Sequence, residues 1–171
     1  ENVAVGTNSL DANTTGNDNA ALGYQALTTA TTAVSNTAIG AKALYTVDGD
    51  GTTGSNNTAI GNDSLKANTT GGNNTSCGAG ALQSNTTASY NVAIGVDAMA
   101  ANTTGNQNVT VGGLALDANT TGVYHVAIGH LALSGNTTAD RNTAVGHSAL
   151  RFNSTGANNV AIGAEALNAK S

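Results

Sequence analysis

Three histidines, His125, His130 and His147, lie close together in the last third of the chain. His130 and His147 are 17 residues apart, and His125 precedes His130 by five residues. Two imidazoles that a regular structure holds about 5 Å apart are suitable ligands for a transition-metal ion. No third kind of ligand accompanies them. We therefore expect the histidines to occupy exposed variable positions and to bind no metal. His130 and His147 remain the candidates for metal ligands.

Two aspartates form a second candidate cluster in the segment Asp48-Gly49-Asp50-Gly51. This segment resembles half of a calcium loop, in which carboxylates and carbonyl oxygens surround a hard cation. The complete motif, with its closing Glu, is absent. We therefore interpret the segment as a solvated turn, and Asp48 and Asp50 remain metal-ligand candidates only.

No arrangement of residues indicates an enzyme. The single cysteine, Cys77, occupies an apolar position of the repeat described below, which favours a small buried side chain over a nucleophile. The sequence has no Ser-His-Asp spacing, no phosphate-binding loop and no pair of carboxylates that stands out from its repeats. We therefore expect no catalytic residue and no cofactor.

The composition excludes several other classes of protein. The 171 residues include 5 Lys and Arg against 10 Asp and Glu, so we expect no nucleic-acid surface. No run approaches the roughly 20 apolar residues that span a bilayer, and the N-terminus lacks the regions of a signal peptide. If the protein is secreted, we therefore expect this sequence to be a mature form or an excerpt. Only 9% of the residues are charged and 3% aromatic, which is unlike an ordinary globular domain.

The positions of glycine reveal an internal repeat of 17 residues, with one unit of 21. Its consensus is N-[VT]-A-[IV]-G-x-x-[AS]-L-x-x-N-T-T-G-x-x, and each unit is called a coil below. The four extra residues of the third coil fall within 45–51, and such a loop is a suitable place for recognition. The ten coils begin at Asn2, Asn19, Asn36, Asn57, Asn74, Asn91, Asn108, His125, Asn142 and Asn159.

Each coil combines a short strand with turns. The N-V-A-I-G segment is β-branched and alternating, which predicts a strand, and its fifth-position glycine permits a turn. The N-T-T-G segment predicts a second turn. Stacking these coils about 4.8 Å apart predicts an all-β fold, a parallel β-solenoid that forms one repetitive domain over residues 1–171. The fifth-position glycines are Gly6, Gly23, Gly40, Gly61, Gly78, Gly95, Gly112, Gly129, Gly146 and Gly163.

We expect two apolar ladders inside this solenoid, from the fourth and the ninth position of each coil. On this interpretation Ile94→Asp should unfold the middle coils by burying an unpaired charge. So thin a core suggests that further surface is buried by oligomerisation. The fourth-position ladder is Val5, Leu22, Ile39, Ile60, Cys77, Ile94, Val111, Ile128, Val145 and Ile162, and the ninth-position ladder is Leu10, Leu27, Leu44, Leu65, Leu82, Met99, Leu116, Leu133, Leu150 and Leu167.

The N-T-T segments align into rows of asparagine and threonine. Threonine rows at strand spacing suggest an ice-binding face, but adjacent threonines point to opposite sides of a strand, so only one row would be presented. The same segments are N-glycosylation sequons. We favour turns that are stabilised by side-chain ladders. The sequons begin at Asn13, Asn68, Asn85, Asn102, Asn119, Asn136 and Asn153.

The string N-[VT]-A-[IV]-G-x-x-[AS]-L resembles the head repeats of trimeric autotransporter adhesins, and is similar to repeats of phage tail fibres and other surface fibres. The closest segments are 91–95 and 159–163, with 36–40 as a threonine variant. The likeness recurs in all ten coils, although the family repeat is usually shorter and its core motif lacks N-T-T-G. The resemblance implies a left-handed, trimeric β-roll and an adhesive or fibre role.

We therefore predict a structural or adhesive segment of an extracellular, cell-surface or virion tail fibre that attaches through a repetitive β-rod. The expected partners are further copies of the chain, as a homotrimer, an end-to-end stack or both, and a host-surface protein or glycan receptor. We expect no insertion into a membrane. Coils without visible caps favour the alternative of a self-assembling extracellular filament, and an ice-binding protein is a further alternative.

Overall fold

The computed structural model describes residues 1–47 and 53–168, which contain ten parallel strands and no helix. Each strand pairs with the next along the chain, so one sheet runs through all ten coils in sequence order. The predicted all-β parallel solenoid is therefore confirmed. The strands are β1 Val3–Val5, β2 Ala20–Leu22, β3 Thr37–Ile39, β4 Thr58–Ile60, β5 Thr75–Cys77, β6 Val92–Ile94, β7 Val109–Val111, β8 Val126–Ile128, β9 Thr143–Val145 and β10 Val160–Ile162.

The central residue of each three-residue strand is the one that points into the solenoid. In β6, Ala93 is fully buried, whereas Val92 is half-buried and Ile94 is 40% exposed. Alternate residues of a strand face opposite sides of the sheet, so the interior receives either the central residue or its two neighbours. The fold places the small residue inside, and a narrow core of Ala and Leu results.

The fourth-position core ladder is therefore wrong, because its side chains lie on the outer side of the sheet. Two members, Val111 and Val145, are half-buried. An inward Ile or Val in every coil would need more room than the buried Ala of the third and eighth positions leave. The exposed members are Val5, Leu22, Ile39, Ile60, Cys77, Ile94, Ile128 and Ile162.

The ninth-position ladder forms the centre of the core, as predicted. Its members from Leu27 to Leu133 are completely buried, and Leu150 is 4% exposed. Leu10 is partly buried and packs against the core. Leu167, in the last coil that the structure describes, is 62% exposed because it has a neighbouring coil on one side only. The interior of the solenoid thus contains one large apolar side chain per coil.

Four positions of each 17-residue coil have a left-handed backbone: the fifth, seventh, ninth and seventeenth. In the sixth coil they are Gly95, Asp97, Met99 and Gln107, with φ values of 135°, 52°, 57° and 59°. Only glycine fits the fifth position, since a Cβ at Gly95 would lie 2.6 Å from the carbonyl group of the glycine in the next coil. At the other three positions an L-residue costs about 1–2 kcal/mol relative to a right-handed conformation.

This backbone strain makes Gln107→Gly a stabilising substitution. Glycine removes the steric cost of the left-handed conformation and loses about 0.5–1 kcal/mol through chain entropy, so we expect a net gain of up to about 1 kcal/mol. Gln107 is exposed, and its φ is 59°. Thermal unfolding followed by circular dichroism measures the effect.

Gln83→Gly is the matched control, because Gln83 lies outside the left-handed positions. There the entropy loss is uncompensated, and we expect a lower melting temperature. Equal shifts of the two glycine variants would contradict the assignment of strain to the seventeenth position.

Two columns of buried asparagine run along the interior, one at the first position of most coils and one at the twelfth position of the fourth to eighth coils. In the first column, Oδ1 of Asn91 accepts from the backbone N–H of Asn108 at 2.9 Å, and its Nδ2 donates to the carbonyl oxygen of Gly105 at 2.9 Å. In the second, Nδ2 of Asn102 donates to Oδ1 of Asn85 at 3.0 Å and to Gly105 at 3.0 Å. These bonds satisfy buried backbone groups and fasten each coil to the next.

Candidate functional site

The outer side of the sheet forms a regular surface along all ten strands, and we call it the sheet face. It consists of the outward side chains at the second and fourth positions of every coil. None of these twenty residues is charged. The second-position row is Val3, Ala20, Thr37, Thr58, Thr75, Val92, Val109, Val126, Thr143 and Val160, and the fourth-position row is Val5, Leu22, Ile39, Ile60, Cys77, Ile94, Val111, Ile128, Val145 and Ile162.

Large apolar side chains are exposed along the whole length of the sheet face. Ile39, Ile60 and Ile128 are each 38% exposed although a coil lies on either side of each of them. The two rows run parallel, about 7 Å apart along the strand and with a repeat of about 4.8 Å between coils. The sequence signal for this surface was the absence of charge at both positions, together with Ala at most third positions.

Cys77 lies on the sheet face and is exposed, so its prediction as a buried side chain is wrong. The error is the same as for the rest of the fourth-position row, since β5 turns its central residue, Ser76, into the interior. The thiol thus reports directly on whether the middle of the sheet face is covered.

His130 and His147 are stacked on the surface of adjacent coils. Their ring centroids are 5.6 Å apart and the ring planes are inclined by 12°, as expected for equivalent positions of neighbouring coils. Both side chains are exposed. Among the described residues no group of three His, Cys, Asp or Glu is arranged to hold a metal ion.

His125, in contrast, is 1% exposed and replaces asparagine in the first-position column. Its Nδ1 accepts from the backbone N–H of Asn142 at 3.2 Å, so the neutral ring carries its proton on Nε2. That Nε2 lies 3.2 Å from Nδ2 of Asn136, whose Oδ1 has no hydrogen-bond partner. Burial lowers the pKa of His125 below its usual range. The exchange of asparagine for His125 thus leaves an unpaired amide oxygen on Asn136.

Tyr45 and Thr46 of the third coil contribute to the wall of a shallow groove. Asp48 and Asp50 lie outside the described residues, so the calcium-loop candidates stay untested. The groove, of about 500 Å³, crosses three coils at their tenth and eleventh positions. Lys66 Nζ, on its wall, pairs with Asp63 at 3.1 Å. The groove is lined by Tyr45, Thr46, Lys66, Ala67, Gln83 and Ser84.

The N-T-T segments form the predicted ladder-stabilised turns. Thr103 Oγ1 donates to the carbonyl oxygen of Thr120 at 3.0 Å, and Thr120 repeats this bond to the next coil. These hydroxyl groups are therefore engaged within the protein. The sequon asparagines of the middle coils are fully buried, which leaves no room for a glycan on them in the folded chain: Asn68, Asn85, Asn102, Asn119 and Asn136.

The described part of the chain has no helix of the length and apolar character that crossing a membrane requires. No family model matches the sequence, and neither a curated protein nor a solved structure shows significant similarity to it.

Proposed function

We propose that the chain is a rod segment of an extracellular or virion surface fibre, without enzymatic activity, that assembles as a homotrimer through the sheet face. The observation that carries this proposal is an uncharged double row in which most of the fourth-position apolar side chains are exposed. Attachment to a host protein or glycan takes place at features that interrupt the regular surface. The groove lined by Tyr45 and Gln83 is such a feature.

The size of the sheet face supports its burial in an assembly. Ten coils at about 4.8 Å and two rows about 7 Å apart give a strip of roughly 340 Å². Contiguous apolar patches of a few hundred Å² on soluble proteins are often functional. Charged residues are depleted at the centres of protein interfaces, and none occurs in either row.

The regular spacing of the sheet face favours a second copy of the chain as its partner. Side chains repeat along the rod at the coil spacing, which makes a series of ridges and grooves. An identical chain has the same period, so ridges can pack into grooves along the whole length without a mismatch. The resemblance to trimeric adhesin heads supports three chains in particular.

A purified chain should therefore have three times the mass of 16.6 kDa in light scattering. Ile94→Asp places a charge in the middle of each buried strip, and we expect it to dissociate the trimer. Thr104→Asp is the matched control, because Thr104 is exposed on a turn and lies outside the sheet face. This variant should keep the trimer mass. A clean wild-type monomer at micromolar concentration would refute the assembly.

The native thiol provides a second readout of the same interface. Cys77 should react slowly with a thiol reagent in the wild-type trimer and rapidly in the dissociated Ile94→Asp variant, since its exposure in the single chain is high. Rapid reaction in an assembly of trimer mass would show that chains associate through another surface.

Ice binding is a second candidate, favoured by the regular repeat of side chains along the same face. The two parallel rows include Thr37, Thr58 and Thr143 beside a fourth-position Ile or Val. This function requires an uncovered sheet face, so it predicts a monomer with a reactive Cys77 and measurable thermal hysteresis. Absence of hysteresis at millimolar concentration would remove it.

A further inference from the structure

We propose that His130 and His147 form a bidentate site for a divalent first-row transition-metal ion, which clamps the eighth coil to the ninth. Both imidazoles occupy the sixth position of their coils and are exposed, with ring centroids 5.6 Å apart. The site lies outside the sheet-face rows and does not depend on the proposed trimer.

Chelation requires both imidazole rings to change rotamer. Metal–nitrogen bonds of about 2.0–2.1 Å place two ligand nitrogens about 3.3 Å apart in tetrahedral geometry. The lone pairs of the nitrogens lie in the ring planes, which are stacked and inclined by only 12°, so the two planes must rotate towards each other before both nitrogens reach one ion. Exposed side chains change rotamer on a fast timescale, so this rotation is accessible.

The donor set defines the class of ion. Two neutral imidazoles suit copper, nickel and zinc, whereas magnesium and calcium require oxygen ligands. Since no cluster of three ligands is present among the described residues, water completes the coordination shell. Copper should bind most tightly, and manganese most weakly, in the order that divalent ions follow for such ligands.

The clamp spans the junction that the asparagine column secures least well. Across this junction, His125 Nδ1 accepts from the backbone N–H of Asn142 at 3.2 Å. The equivalent bond between the sixth and seventh coils, from the backbone N–H of Asn108 to Asn91 Oδ1, is 2.9 Å long. All three histidines of the chain lie in these two coils. An ion bound only to the folded arrangement stabilises it in proportion to the logarithm of the ion concentration. The metal therefore protects a local weak point.

Titration calorimetry with Ni²⁺ and Zn²⁺ at pH 7.5, on protein without a histidine tag, tests the site. We expect one ion per chain, and at least a tenfold weaker affinity for His147→Ala. The matched control combines His147→Ala with Tyr24→His, which keeps three histidines but moves one to the exposed sixth position of the second coil. This double variant should bind as weakly as His147→Ala.

Ala164→His is the complementary gain of function, because Ala164 is exposed at the sixth position of the tenth coil and adds a third imidazole beside His147. We expect tighter binding by about tenfold. In thermal unfolding, Zn²⁺ should raise the melting temperature of the wild type and not that of the relocated variant. Equal affinities, or equal metal-induced shifts, for the wild type and the relocated variant would overturn the proposal.

Discussion

Aspartate in place of Ala93 will unfold the middle coils, whereas aspartate in place of its neighbour Ile94 will leave them folded. Ala93 is fully buried in the core, and Asp there introduces both excess volume and a charge without a partner. We expect a loss of about 5 kcal/mol or more, in the range of the most damaging single substitutions. Ile94 is 40% exposed, so its replacement should cost no more than about 1 kcal/mol within a single chain.

Circular dichroism and thermal melting of the two variants measure this difference at one protein concentration. Because Ile94→Asp is also expected to dissociate the trimer, the wild type diluted to its monomer is the proper reference for its stability. Ala93→Ser supplies the control for Ala93→Asp, since Ser76 occupies the same buried position in β5. A folded Ala93→Asp together with an unfolded Ile94→Asp would reverse the assignment of the two sides of the sheet.

Acidification should weaken the wild-type solenoid through His125. Burial lowers the pKa of this imidazole below its usual value of 6.5. The unfolded chain therefore binds a proton more readily than the folded chain, and stability falls as the pH drops below about 6.5. The mechanism is local, because a proton on Nδ1 would face the backbone N–H of Asn142 that it now accepts from. We expect a loss of about 1–3 kcal/mol, the cost of unpaired buried donors.

His125→Asn restores the asparagine column and should remove this acid sensitivity. The backbone N–H of Asn142 then has the Oδ1 acceptor that its counterparts in other coils use. Thermal melting at pH 7.5, 6.5 and 5.5 compares the variant with the wild type and with His147→Asn, a control at an exposed histidine. Burial raises the pKa of Asp117, but this residue is common to all three proteins and cancels in the comparison. The same pH dependence in wild type and His125→Asn would exclude His125 as the cause.

The repeat alone was sufficient to predict the solenoid, because a 17-residue period leaves a short parallel strand no partner other than its equivalent in the next coil. The side of the strand that faces inwards was not predictable in the same way. Ile94 is more hydrophobic than Ala93, which favoured Ile for the core. Which side of the strand faces inwards depends on the width of the interior, and a shift of one residue exchanges the two sides of the sheet.

The buried asparagines of the twelfth position were assigned to turns for a similar reason. Asn102 is part of an N-T-T-G segment, which is typical of turns, and that assignment is correct for its backbone. Its side chain also enters the interior, where it bonds to Asn85 of the previous coil. Only the stacking of coils brings these two amides together, so no local pattern could indicate the bond. The sequence did predict the stacked pair of His130 and His147, because equal positions in adjacent coils are neighbours in any solenoid of this period.

The third coil shows how the rod can change without losing its ladders. It contains four extra residues, yet β3 and β4 pair in the usual register and Asn57 still donates to Oδ1 of Asn36 at 2.9 Å. The ladders on either side of the added residues therefore stay in register. Loss or gain of one whole 17-residue unit preserves every ladder and changes the rod length by about 4.8 Å. Such a molecule can vary its reach over evolution in fixed increments, by duplication or deletion of single coils, without redesign of its interior.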